Sequence, residues 1–252
     1  MSTLANTVLL RGHQLTRRWG GLTAVNAVDL ELRRGEVHAV IGTNGAGKST
    51  LINLLSGQFP PSSGRVELLG QDVSLWSQPR RARAGLGRSY QRNTVFGEFS
   101  VIENCRLSAQ AAAQRPWRWW QPVQAQPALM EAARSVAQRT GLGDRMDRPA
   151  GLLSHGQKRQ LEIAMCLATR PKVLLLDEPL AGMGAEETER MLVLLGDLKA
   201  DHAILLVEHD MDAVFRVADR ITVMVNGSVI ASGSPEQIRS NAGVQSAYLG
   251  GH

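Results

Sequence analysis

The chain has 252 residues, 43% of them hydrophobic and 20% charged, enough for one domain to bury a full core with a subdomain inserted in it. No apolar run approaches the roughly 20 residues that a membrane-spanning helix needs, and the start MSTLANTVLLRGHQ lacks the basic head and long apolar stretch of a secretory signal. The formal net charge of +5 is scattered and nearly all arginine, since the lysines are only Lys48, Lys158, Lys172 and Lys199, so it singles out neither nucleic acid nor an anionic membrane.

In chain order, Val28–Leu32 and Val37–Ile41 are the first strand-like runs. Residues 42–50 then read GTNGAGKST, which satisfies G-x-x-x-x-G-K-[ST]. The glycines keep side chains clear so that successive backbone N–H groups can point at phosphate oxygens. Lys48 adds a point charge on the outer phosphates, and the Ser49 hydroxyl can hold magnesium. Apolar residues at Leu51, Ile52, Leu54 and Leu55 suit a helix over 49–58, so the loop lies where a strand hands over to a helix whose N-terminus favours anions. Arg65–Leu69, after PPSSG, reads as a further strand.

From about Val95 the character changes. Ser100-Val101-Ile102-Glu103 has the form of a capping box, and it opens an alanine- and glutamine-rich stretch interrupted at Pro116–Pro127, where Trp117, Trp119 and Trp120 stand. Residues 93 to 165 are therefore expected to be a helical insertion. It holds Cys105, while Cys166 lies just beyond it; both read as buried small residues of a reduced, cytosolic protein rather than a disulfide framework. Val173–Leu176 and Ala203–Val207 are continuous apolar runs, as parallel strands covered on both faces require; with the helical segment Glu186–Leu198 between them they make a βαβ unit. Asn226-Gly227 joins the strands Ile221–Val225 and Ser228–Ala231 as a hairpin, and Ser234-Pro235-Glu236-Gln237 starts a last helix.

The run LLLDEP delivers Asp177 and Glu178 to the carboxyl end of a buried strand, where open α/β sheets place ligands. One carboxylate can hold magnesium through its water shell while its neighbour orients or deprotonates an attacking water.

Leu153-Ser154-His155-Gly156-Gln157, between the phosphate loop and Asp177 and at the start of a helix, resembles the LSGGQ signature of ABC-transporter ATP-binding subunits. The resemblance implies an ABC ATPase fold: a P-loop NTPase α/β core of mainly parallel sheet with an antiparallel β subdomain and an inserted helical subdomain. The single domain 1–252 would divide into a nucleotide-binding core, 1–92 and 166–252, and a helical subdomain, 93–165, carrying the signature.

The family pattern assigns roles residue by residue. Gly42, Thr43, Asn44, Gly45, Ala46, Gly47, Lys48, Ser49 and Thr50 would cradle the phosphates, and Trp19 would stack on adenine, a contact typically worth about 1–3 kcal/mol. Ser154, His155, Gly156 and Gln157 would meet the triphosphate held by a second cassette, the same or paralogous. Gln91 in SYQRNTVF resembles the glutamine that senses magnesium and the γ-phosphate, Asp177 and Ser49 would share the ion, Glu178 would be the base, and His209 in EHDM the switch histidine. Ala181-Gly182-Met183-Gly184 would cross the dimer interface. Two positions depart from the pattern: His155 replaces a glycine, which restricts backbone approach to phosphate, and Gly184 stands where many relatives carry Asp.

ATP and Mg2+ are the implied cofactors. The implied partners are two membrane permease subunits and, indirectly, an extracytoplasmic solute-binding protein, with the chain peripheral on the cytoplasmic face of the inner or plasma membrane. Asn93–Val101, with Phe96 and Phe99, is the candidate permease contact. EHDM, the ending DRITVMVNGSVIASGSPEQIRSNAGVQSAYLGG, EPLAGM and the long insert after Gln91 resemble the branched-chain or hydrophobic amino-acid uptake branch. Urea, amides and carboxylates are served by similar subunits, and the lipopolysaccharide-export ATPase is close. A non-transport ABC ATPase acting on nucleic acid or ribosomes is the reading of another class, though the chain lacks the coiled-coil insertions, zinc-binding cysteines or tandem cassettes of those members and no nucleic-acid partner is expected.

Overall fold

The computed structural model describes residues 7–89, 95–113 and 127–249. Three fully buried strands form its centre: β3 (Val37–Gly42), β7 (Val173–Asp177) and β8 (Ala203–Val207). With β6 (Leu86–Arg88), β9 (Arg220–Val225) and β10 (Ser228–Gly233) they make a six-stranded sheet ordered β10-β9-β3-β8-β7-β6, parallel throughout except at the β9–β10 hairpin. Successive strand residues point to opposite faces, and each face has its own core. Val40, Leu175 and Leu205 pack with Leu51, Ile52, Leu54 and Leu55 of α1 (Lys48–Ser56). Ala39, Ile41, Leu174, Leu176, Ile204 and Leu206 pack on the other side with Met191, Leu195 and Leu198 of α6 (Ala185–Leu198).

A second sheet, ordered β2-β1-β4-β5 and wholly antiparallel, completes the first of these cores. Its strands are β1 (Val8–Trp19), β2 (Leu22–Arg33), β4 (Ser63–Leu68) and β5 (Gln71–Asp72). The short helix α2 (Gln78–Arg83) is anchored by Arg81, whose buried guanidinium donates to the Leu54 and Leu55 carbonyls at 2.8 Å each, at the carboxyl end of α1. Burial presses the Arg81 pKa down to about 10.

A third core lies among helices and the turns that join them. α3 (Val101–Ala113), α4 (Pro127–Arg139) and α5 (His155–Ala168) bury Val101, Cys105, Ala133, Ala137, Leu161 and Ala164 against one another. The capping box expected at Ser100 is formed: Ser100 N–H donates to Glu103 Oε2 at 2.9 Å, and Glu103 N–H donates to Ser100 Oγ at 3.3 Å. The turn of α5 that holds Ile163 and the residue Leu167 join the sheet's core instead, so this helix is shared between layers. Trp117, Trp119 and Trp120 lie outside the described residues.

The ending differs from expectation. The helix started by Ser234 is only α8 (Pro235–Arg239), and α9 (Ala242–Leu249) follows, because Asn241 Oδ1 accepts the Val244 N–H at 3.1 Å and begins a new helix; α7 (Met211–Val217) precedes β9. β1 is also absent from the expected strands. It is broken by register shifts, with Gln14 at φ 47°, so no clean period of two survives.

Candidate functional site

The loop between β3 and α1 has the glycines its backbone demands. Gly47 sits at φ 100°, where a Cβ would also strike the Ala24 carbonyl oxygen, and a Cβ on Gly42 would strike that of Met224. Among the described residues no side chain caps α1. Thr43, Asn44, Gly45 and Ser49 are exposed, Thr50 is half-buried, and Ala46 is buried with its N–H on the Thr43 carbonyl at 3.1 Å. The ammonium of Lys48 is drawn into the loop, donating to the Gly42 carbonyl at 2.6 Å and that of Thr43 at 3.2 Å. Burial lowers its pKa, partly opposed by the charges of Glu178 and Asp177.

β8 lies between β3 and β7, so Asp177, at the carboxyl end of β7, shares the loop's edge of the sheet. Asp177 is buried. Its Oδ2 lies 3.7 Å from Arg88 Nη2, and its Oδ1 has no hydrogen-bond partner among the described residues. Burial raises its pKa, with Arg88 pulling the other way. Arg88 in turn donates to Ser56 Oγ at 2.6 Å, at the end of α1.

Glu178 adopts φ 50°, unusual for a residue with a side chain. Its N–H donates to the Val207 carbonyl at 2.9 Å, and its Oε1 lies 3.9 Å from Nδ1 of the exposed His209. Beside them, Glu208 is completely buried. Its Oε1 accepts the Leu180 N–H at 2.8 Å and its Oε2 the His209 N–H at 3.2 Å. Burial raises its pKa, and those two hydrogen bonds oppose the rise. Glu208 is not among the expected site residues, although an acid ending the apolar run ILLV is the same kind of signal as Asp177 ending VLLL.

Ser154 to Gln157 start α5 with a complete capping box: Ser154 Oγ accepts the Gln157 N–H at 3.2 Å, and Gln157 Oε1 accepts the Ser154 N–H at 3.0 Å. Ser154 Oγ also donates to Glu187 Oε1 at 2.9 Å. A Cβ on Gly156 would lie 2.6 Å from that same oxygen, so glycine is required for the carboxylate to rest there. His155 Nε2 donates to the Ala181 carbonyl at 3.0 Å, linking this segment to the one after Glu178. Neither the Glu187 nor the Ala181 contact could be read from spacing, because both join elements distant in sequence.

Trp19 is 47% exposed and stands edge-on to Phe59, centroids 5.1 Å apart, with the Arg17 guanidinium 3.8 Å from its ring centre. It therefore offers an aromatic surface far from saturated by the core. Phe96 and Phe99 are exposed and 5.6 Å apart. Gln91, with Asn93 and Thr94, lies outside the described residues. Among the described residues no three His, Cys, Asp or Glu side chains group as a metal cage, and no helix is long and apolar enough to cross a membrane. The arrangement offers a nest for phosphate, a buried cation and two acids at one edge of a sheet, which suits phosphoryl transfer from a nucleotide.

A family model described as ABC transporter matches residues 25–181, and one described as branched-chain amino acid ATP-binding cassette transporter matches residues 228–252. The LivG ATP-binding protein of high-affinity branched-chain amino acid transport from Escherichia coli K12 is 40% identical over 250 residues, covering 96% of this chain and 98% of that protein. The corresponding BraF protein of Pseudomonas aeruginosa is 38% identical over 243 residues, covering 94% and 95%. Among solved structures, the ADP conformation of MJ1267, an ATP-binding cassette of an ABC transporter, superposes with a TM-score of 0.87 at 30% identity, covering 97% of this chain and 99% of that one.

Proposed function

The chain belongs to the ABC-transporter ATP-binding family, whose activity is ATP hydrolysis, and from that premise we propose that it energises import of branched-chain or other hydrophobic amino acids through separate membrane permeases. The match of residues 228–252 supports this branch over lipopolysaccharide export or work on nucleic acid. The observation that carries the catalytic reading is that Lys48, Asp177, Glu178 and His209 gather at the carboxyl edge of β3, β7 and β8.

In this reading the uncapped start of α1, with Lys48 and residues 42–50, takes the triphosphate, and Trp19 takes the base. Glu178 orients and deprotonates water, and His209 contacts the γ-phosphate. Oδ1 of Asp177, buried and without a hydrogen-bond partner among the described residues, and the Ser49 hydroxyl are hard oxygen donors of the kind magnesium selects. Gln91 is proposed as a third donor. Magnesium, when bound, neutralises charge on the β- and γ-phosphate oxygens. The core, 1–92 and 166–252, and the helical subdomain, 93–165, act as the two working parts.

A second cassette supplies the signature. Ser154, His155, Gly156 and Gln157 of one copy face the triphosphate of the other, so hydrolysis needs the dimer. The permease contact is Asn93–Val101, in which Phe96 and Phe99 are exposed and 5.6 Å apart; a groove of about 340 Å³ lined by Gln78, Pro79, Ala82, Ser108, Met165 and Thr169 offers further docking surface. In this reading the chain lies peripherally on the cytoplasmic face, with a solute-binding protein acting on the far side. The test is Glu178→Gln in the assembled complex. Nucleotide affinity should persist while turnover falls roughly 10²–10⁴-fold, the share of a general base; near-normal ATPase would remove Glu178 from the role.

A further inference from the structure

We propose that Glu208 is a positioning residue for hydrolysis: its buried carboxylate bridges the turn that aims Glu178 to the loop that carries His209. The proposal rests on the roles given above to those two residues.

The turn after β7 needs an external hold. Glu178 is at φ 50°, a left-handed conformation that is strained for a residue with a Cβ. Pro179 has no N–H, so the stretch 178–180 has two backbone donors. Both end on the terminus of β8: Glu178 N–H on the Val207 carbonyl at 2.9 Å, and Leu180 N–H on Glu208 Oε1 at 2.8 Å. The second oxygen of Glu208 takes the His209 N–H at 3.2 Å. One carboxylate therefore fixes the backbone on both sides of the Glu178–His209 pair, whose side chains approach to 3.9 Å.

A merely structural plug at this place would be apolar. Glu208 is 0% exposed, and an ionised carboxylate so placed is strongly disfavoured unless hydrogen bonds to its charge offset its desolvation. Bonds from N–H to a charged acceptor are shorter and roughly twice as strong as neutral ones. They buy geometric precision at the two residues where a displacement of about 1 Å can cost on the order of 10²-fold in rate.

The experiment is Glu208→Gln in the full chain with its co-purifying membrane subunits, beside Glu178→Gln. The amide keeps the volume and one acceptor, but turns an NH2 toward one of the two N–H donors. Turnover should fall at least about 10-fold while the dissociation constant for a fluorescent ATP analogue stays within roughly 2-fold and Tm within a few degrees, the pattern of an interaction used in the transition state. Unchanged turnover overturns the proposal, and so does a parallel loss of affinity, turnover and Tm, which marks a structural group only. If Glu178→Gln is inactive while Glu208→Gln is normal, the bridge fails and the base stands; if Glu178→Gln is fully active, the base assignment fails first. Should Glu208→Gln not fold, amide exchange in the unmodified protein decides. Leu180 and His209 should be protected like the interior of β8, and exchange at exposed-loop rates overturns the bridge.

Discussion

α1 and α5 both present their N-termini to proposed phosphate sites, yet they are built in opposite ways. Each helix start leaves N–H groups without an intrahelical partner. At α1 no side chain among the described residues caps them, there is no acid in the first turn, and Gly47 opens the loop at φ 100°. At α5 the Ser154–Gln157 capping box is closed, and the Glu187 carboxylate hydrogen-bonds Ser154 Oγ. The first start is preorganised for an anion that comes with the nucleotide. The second already holds a stand-in anion of its own, so in the proposed dimer a phosphate arriving from a second cassette would have to compete for the same hydroxyl hydrogen.

The largest effect should come from closing the first site. Gly47→Ala puts a methyl against the Ala24 carbonyl oxygen at a φ suited to glycine. Strain of about 1–3 kcal/mol, with loss of charge-assisted phosphate contacts of about 1.5–3 kcal/mol each, should weaken ATP binding by at least roughly 10²-fold. Titration with a fluorescent ATP analogue reads this directly. Normal affinity would mean that the open loop geometry is not what distinguishes α1 from α5.

Acid should act on the same side. His38 of β3, the strand feeding the phosphate loop, is 2% exposed and donates from Nδ1 to the Glu31 carbonyl at 2.9 Å, while Nε2 accepts the Thr222 hydroxyl hydrogen at 2.8 Å. Burial lowers its pKa from 6.5 to about 4. The folded state thus keeps the ring neutral where the unfolded chain binds a proton. The associated stability is present above pH 6.5 and is lost as pH falls toward 4, amounting to about 3 kcal/mol. Burial lowers the His202 pKa too, so it contributes in the same direction. Denaturant melts of the wild type and His38→Gln across this range should converge as pH drops. Parallel curves would assign the acid sensitivity elsewhere.

The comparison between the two helix starts was only half legible in the sequence. α1 could be read because strand, glycines, lysine and helix are contiguous, and local sterics dictate each. The hairpin at Asn226-Gly227 was legible for the same reason, with φ 49° and 80° at its two residues. At α5 the capping residues were visible in SHGQ, but Glu187 is 33 residues away in sequence and reaches Ser154 only through packing of α6 beside α5. Glu208 is a third kind of case. Its acid at a strand end was visible, yet its partners Leu180 and His209 depend on the β7–β8 pairing. β6 escaped because three residues hold too little pattern to reveal a period.

The smallest predicted effect tests the stand-in anion itself. Glu187→Ala removes a carboxylate from the start of α5, where such a charge stabilises the helix by about 0.3–1 kcal/mol, so Tm of the separate chain should fall slightly. ATP binding to α1 should not change, because Glu187 belongs to the other surface. The ATP concentration needed for half-maximal dimer formation should nevertheless fall roughly 2–5-fold, as the same 0.3–1 kcal/mol no longer opposes the incoming phosphate. Analytical ultracentrifugation of the Glu178→Gln background, with ATP varied, separates these quantities. If more ATP is required instead, the carboxylate helps to orient Ser154 for the phosphate, and the two helix starts differ in how they are prepared but not in any competition for their ligand.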